Sequence, residues 1–351
     1  MQLSFTPTVD KEETGNRLQR LLVPGSVQGA ELERRIDRLA SAFQRFAACY
    51  PLPFWAPGLA LNNEMRAMTE ALFPISQVSS VFELVLRRGC RFSPLLSASY
   101  LHGSPSWLDL LQKLRPQPGQ ADPAAILREL VRDPQKRASF LFSLLLPHHF
   151  GGAFDRYPRQ SEWIGDWLKE NSRRFLGEIC ALDSACGSGE GTYGLAELFL
   201  AAGLGREGCA IHGSTLEPIE LFAAAHAFFP HDQERERDYR HRVAPLLSGP
   251  EAAAMEFYLE EVAAAGRKGH YQLILCNGLL GGPLMHETGE LSRAIAALAG
   301  RLAPGGVLLA ADRFHAGWRV RVPAAALSGI MREHGLIPLQ VPEGIAGEKP
   351  G

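Results

Sequence analysis

The sequence predicts an α/β chain in two parts: an all-helical region over residues 1–149, then a mostly parallel sheet with helices on both faces over 150–351. Three observations carry this reading. Apolar residues recur every three or four positions before residue 150, and short apolar runs alternate with helical stretches after it. One of those runs passes straight into a helix through three alternating glycines, in LDSACGSGEGTYGLAELFL at 182–200.

In the first part, ELERRIDRLASAFQRF places Leu32, Ile36, Leu39, Phe43 and Phe46 on one helix face. NEMRAMTEALF, SVFELVLRR, SWLDLLQKL and AAILRELVRD repeat the pattern, and RPQPGQADP (115–123) reads as an exposed linker. After residue 150, EICALDSA is a buried strand, followed by the helix TYGLAELFLAAG, closed by Gly203. CAIHGS is a second strand and PIELFAAAHAFF a second helix with Pro218 in its first turn. MEFYL, YQLILCN and GVLLAAD are further strands, with ELSRAIAALAGRL as a helix between the last two. AAALSGIMREHG is a helix stopped at Gly335, and LIPLQV a closing strand. Between helix and strand, HDQERERDYRHRVAPLLSGP (231–250) is highly charged and reads as a solvated helix.

At 351 residues, 46% hydrophobic and 21% charged, the composition is that of a globular chain. A net charge of -2 gives no footprint for nucleic acid or a membrane surface, and no apolar run is long enough for a bilayer. The N-terminus has no secretory pattern, and the six cysteines form no C-x-x-C pair, so a cytoplasmic protein with neither disulfide framework nor structural zinc is expected. His148–His149 lacks partners at ligand spacing, and Trp163 and Trp167 read as core.

The chemistry concentrates around the glycines. Gly187, Gly189 and Gly191 lie between a strand and a helix, where bare backbone and a helix N-terminus can approach a nucleotide-like ligand. A dinucleotide fingerprint places its third glycine where this chain has Thr192. Acids surround the loop: Asp183 ends the strand, Glu190 is inside the loop, and Glu217 follows the second strand. Pyrophosphate is repelled by such a ring, whereas an amine, a ribose and a sulfonium cation suit it. The ligand expected is S-adenosylmethionine.

D-x-A-C-G-S-G-E-G, Asp183 to Gly191, resembles the first motif of class I S-adenosylmethionine-dependent methyltransferases, with Ala185 in place of the first glycine. With Tyr193, Leu195 and Ala196 following, the loop is similar to that of the CheR-type enzymes, the chemotaxis-receptor glutamate O-methyltransferases. HGSTLEPIELFAAAHAFF, YQLILCN and LAPGGVLLAAD resemble later segments of that family, and AFDR (153–156) its short Phe-Arg motif. The similarity covers residues 150 to 315 and implies a Rossmann-like methyltransferase sheet.

Carried over, the resemblance implies that Ala185, Gly187 and Gly189 lie under the methionine and ribose, with Cys186 between them. It implies Glu190 contacting or ordering the amino-acid end, Arg156 on the carboxylate, Glu217 on the ribose and Glu261 near the adenine. The family's usual aspartate aligns with Thr215 rather than Glu217. Cys276 and Asn277 would face the reacting centre, and no catalytic base is identified. Each residue also has a plainer role open to it: Asp183 as a cap of the loop's N–H groups, Arg156 as a surface ion pair, Glu261 as a solvated residue, Cys276 as packing.

CNGLLGGPLMHETGE departs from the family after its cysteine, with glycines at 278, 281 and 282, so the methyl acceptor is unknown: a protein carboxylate or a small molecule. The N-terminal helices do not match the family and are expected to meet a protein partner. Three functions stay open: a methyltransferase, a nicotinamide-dependent oxidoreductase, and an S-adenosylmethionine-binding sensor or interaction module without catalysis. An arginine at Gly189 is expected to abolish ligand binding and spare the fold.

Overall fold

A computed structural model describes residues 3–49, 59–114, 121–146, 153–172, 174–175, 179–205, 208–248, 254–264, 270–311 and 316–351. His148–His149 and most of the 115–123 linker lie outside them. The chain divides into two compact units: Gly15–Pro147 with Phe229–Asp232, and Met1–Thr14 with His148–Phe228 and Gln233–Gly351.

The first unit is built on amphipathic helices. Ala30–Cys49 buries Leu32, Ile36, Leu39, Phe43 and Phe46, the stripe read from the sequence. The ring of Phe73 packs 5.7 Å from those of Phe43 and Phe46. Asp122 and Asp133 cap the consecutive helices Pro123–Arg132 and Pro134–Leu145, each accepting from backbone N–H groups ahead of a first-turn proline.

Among the described residues of the second unit, eight strands form one sheet. They are β1 (Ser4–Phe5), β2 (Ile179–Ser184), β3 (Cys209–Thr215), β4 (Ala254–Leu259), β5 (Tyr271–Leu275), β6 (Leu302–Ala311), β7 (Ile337–Leu339) and β8 (Gly344–Glu348). Their order is β1-β4-β3-β2-β5-β6-β8-β7. β2 to β6 are parallel to their neighbours; β1 runs antiparallel to β4, and β8 is antiparallel to both β6 and β7.

From β2 the chain steps one way to β3 and β4, and from β5 the other way to β6. Right-handed crossovers then put the intervening helices on opposite faces. Packing agrees: Tyr193 of the helix Glu190–Ala201 meets Phe257 of β4 with ring centroids 5.6 Å apart. The helix Thr288–Arg301 instead buries Leu291, Ile295 and Leu298 with Leu182, Ile274 and Leu308 on the other face. The reversal between β2 and β5 is a switch point, where loops leaving the two carboxyl ends diverge and open a crevice.

Two strands went unforeseen in the sequence. Ser4–Phe5 breaks the expected all-helical start, because β4 offers an open edge and Phe5 packs against Phe222 and His226 at 5.7 and 5.1 Å. Gly344–Glu348 carries two glycines and little strand propensity; its register against Val307–Ala311 fixes it.

Candidate functional site

The run Ile179–Ser184 is buried nearly throughout and ends at the crevice, and the turn that follows has left-handed backbone at Ala185 (φ 63°), Gly187 (φ 55°) and Gly189 (φ 92°). Ala185 adopts this strained conformation at the position where the resembled motif has glycine. The loop glycines differ in purpose. A Cβ on Gly187 would meet nothing within 4 Å, so this backbone faces open space. A Cβ on Gly189 would lie 2.8 Å from the Ala224 Cβ, and one on Gly191 2.8 Å from Asp183 Oδ2. Gly189 is therefore bare where it packs against the helix Pro218–His226, a reason for glycine separate from its expected place beneath the ligand.

Asp183 is 4% exposed and accepts from the Thr192 Oγ1 hydroxyl at 2.8 Å. Burial pushes its carboxyl up to about 7, with the Thr192 hydrogen bonds opposing and the nearby Glu190 adding to the rise. Of the two roles open to it, the capping one is what its hydrogen bonds describe.

Glu190 is also buried, and its oxygens are taken: Ser188 Oγ donates to Oε2 at 2.8 Å and Arg235 Nη2 to Oε1 at 2.7 Å. Its expected position at the amino-acid end becomes one of ordering the loop. Glu217 caps Pro218–His226, accepting from the Ile219 N–H at 3.3 Å, and is 8% exposed. One turn on, Glu220 accepts from Thr215 Oγ1 at 2.7 Å, and burial first, then Glu190, raises its carboxyl. The position that aligns with the family's aspartate thus reaches a carboxylate through Thr215. The sequence reading missed Glu220, although E-P-I-E shows it one helical turn beyond Glu217.

Cys186 is buried, its N–H donating to Ser214 O at 2.8 Å, and burial followed by Asp183 and Glu220 raises its thiol. Ser184 and Ser214 are register partners at the carboxyl ends of β2 and β3. Both hydroxyls are buried and make no hydrogen bond among the described residues, which leaves unsatisfied polar groups at the ends of these strands.

The charged segment 231–250 corrects the expectation of a solvated helix. Its described part contains the helix Gln233–Leu247, which buries Tyr239, Val243 and Leu246 at helical spacing. Tyr239 Oη donates to Ser188 O at 2.6 Å, and Arg242 pairs with both Asp155 and Glu197 at 2.7 Å. Phe154 packs on Tyr239 at 4.9 Å between ring centroids. AFDR is thereby docked, and Arg156 reaches the β5 side of the crevice: a Cβ on Gly278 would lie 3.9 Å from its Nη1.

The end of β5 is arranged differently. Cys276 is fully buried in the apolar cluster with Leu280, Leu291 and Ile295, and burial pushes its thiol up to about 12. Asn277 Oδ1 accepts from the Ala311 N–H at 2.7 Å, and its Nδ2 donates to Gln160 Oε1 at 2.7 Å. Neither presents a side chain to a reacting centre as expected: the thiol fills core, and the amide ties β5 to β6 and to the helix Pro158–Asn171. Glu261, two residues beyond β4, is exposed. Trp167 is buried and packs on Phe175 at 5.9 Å, and Trp163 is half-buried. Among the described residues no helix is long and apolar enough to cross a membrane, and no group of three His, Cys, Asp or Glu side chains could hold a metal ion.

No protein-family model matches the chain, and no curated protein matches it. It is similar to solved structures of low identity. One is an S-adenosylmethionine-bound amino pentose methyltransferase from Micromonospora echinaspora, at 19% identity over 45% of this chain and 51% of that one, with a TM-score of 0.30. A magnesium protoporphyrin IX methyltransferase from Synechocystis with bound S-adenosylmethionine is 17% identical over 54% of this chain and 77% of that one, TM-score 0.35. An N-methyltransferase from Bradyrhizobium japonicum is 15% identical over 56% of this chain and all of its own, TM-score 0.36. The chain thus spans about half the length of the first.

Proposed function

We propose that this chain binds S-adenosylmethionine in the crevice between the carboxyl ends of β2 and β5. We further propose that it transfers the methyl group in-line to an acceptor, a protein carboxylate or a small molecule. One observation carries the reading: a left-handed turn at the switch point leaves Gly187 bare toward open space, near the buried Asp183, Glu190 and Glu217 and the half-buried Glu220. Burial raises the carboxyls of Asp183 and Glu220, and a cationic ligand, here a sulfonium and an ammonium group, would favour their ionised form.

The residues fit such a molecule. Ala185 and Gly187 line it with backbone; Glu217, Glu220 and the hydroxyls of Ser184 and Ser214 suit a ribose; Arg156 suits the carboxylate. Glu261, solvated in this state, would lie at the adenine end. The DSACGSGEG loop and the AFDR segment support a CheR-type cofactor half. The cofactor supplies an electrophilic methyl on sulfur, and the chain's part is alignment. A carboxylate acceptor is already ionised and needs no base, in keeping with a β5 end where the Cys276 thiol is packed in the core and Asn277 is hydrogen-bonded to Gln160 and the Ala311 backbone.

That same engagement favours a second reading, a sensor that binds the ligand without catalysis. Following labelled methyl from S-adenosylmethionine into proteins and small molecules separates the two. Labelled product is expected; label that stays on the cofactor across all acceptors tried would leave the sensor.

A further inference from the structure

We propose that the helix Gln233–Leu247 is a positioning element for the carboxylate end of the adenosyl ligand, with Arg242 acting through Arg156. The inference rests on the adenosyl reading above.

Residues 235, 239 and 242 share one face of this helix, and each is spent on a different part of the crevice. Arg235 and Tyr239 hold the glycine loop through Glu190 and Ser188. Arg242 binds the AFDR arm. Its Nη1 and Nη2 donate to the two Asp155 oxygens at 2.7 and 3.0 Å, while Nε and Nη2 donate to the two Glu197 oxygens at 2.9 and 2.7 Å. The guanidinium also lies 4.2 Å from the Phe154 ring centroid.

This planar fork joins three pieces of backbone: the arm, the helix that starts at the glycine loop, and Gln233–Leu247 itself. Asp155 needs such a hold, because it has left-handed backbone (φ 57°) with no glycine to ease it. Arg156 is the next residue, and the direction in which its guanidinium leaves the arm follows from the conformation of Asp155. Lysine at 242 would keep the charge and lose the double fork.

The test compares two ligands that differ at the carboxylate end. S-adenosylhomocysteine carries the amino acid; 5′-methylthioadenosine lacks it. We expect Arg242→Met to weaken S-adenosylhomocysteine about tenfold, with methylthioadenosine changed by less than about twofold. In an Arg156→Met background the Arg242→Met change should cost nothing more, since the two act on one contact. Asp155→Asn, at a largely exposed side chain, carries the test where Arg242→Met does not fold, with a selective loss of about threefold. Equal weakening of both ligands, or an undiminished Arg242 effect without Arg156, overturns the proposal and leaves the adenosyl reading standing. Wild type that binds neither ligand overturns both.

Discussion

The two sides of the crevice use polar groups in opposite ways. At the end of β2, carboxylates are packed beside a bare loop at the cost of their solvation, so that Asp183 and Glu220 are both raised. At the end of β5, the one polar side chain, Asn277, is satisfied by Gln160 and the Ala311 backbone, and Cys276 turns into the core. On the adenosyl reading, a cationic ligand beside the β2 loop would favour the ionised form of these raised carboxyls, whereas the β5 end offers a ligand backbone and Arg156. On the adenosyl reading, recognition is concentrated at the ends of β2 and β3, and the part left to the β5 side is alignment.

The largest expected effect breaks the contrast within the glycine loop itself. Gly189→Arg should cost the fold about 3 kcal/mol or more, because its Cβ would already collide with Ala224. This reverses the sequence-based expectation of a fold spared. Gly187→Asn, at a left-handed position facing open space, should cost about 1 kcal/mol or less while filling the cradle and removing ligand binding. Thermal unfolding and ligand titration of the two variants side by side check this; equal Tm losses would contradict the distinction.

A second effect, of similar size and spread over pH, concerns Asp183. Its folded carboxyl is raised to about 7, above its ordinary value, so its contribution to stability is full below the unfolded pKa and is lost as pH rises through 7. Asp183→Asn should flatten the fall in stability between about pH 4 and 7, by up to about 4 kcal/mol. Urea midpoints across that range measure it, and an unchanged slope would remove Asp183 as the cause.

Much of this was legible in sequence because the signals are local. The stripe from Leu32 to Phe46 needs only helical spacing, and the strand–glycine–helix run of 182–200 needs only turn chemistry. What escaped depends on tertiary partners. The apolar set Tyr239, Val243 and Leu246 is hidden among arginines and glutamates, so the helix read as solvated although its arginines have fixed carboxylate partners. β1 is two residues long, and β8 is specified by the edge it joins. Gly187 and Gly189 look alike in sequence; only the neighbour Ala224 distinguishes a cradle from a packing contact.

Both the loop and the AFDR arm are read here as serving an adenosyl sulfonium ligand in the β2–β5 crevice. Calorimetric titration of the wild-type chain with S-adenosylmethionine, S-adenosylhomocysteine and NAD tests this most directly. Micromolar binding of both adenosyl ligands, about -8 kcal/mol, is expected, with no heat from NAD, whose motif would have glycine where Thr192 bonds to Asp183. Silence from the adenosyl ligands, or saturable binding of NAD in their place, would contradict it.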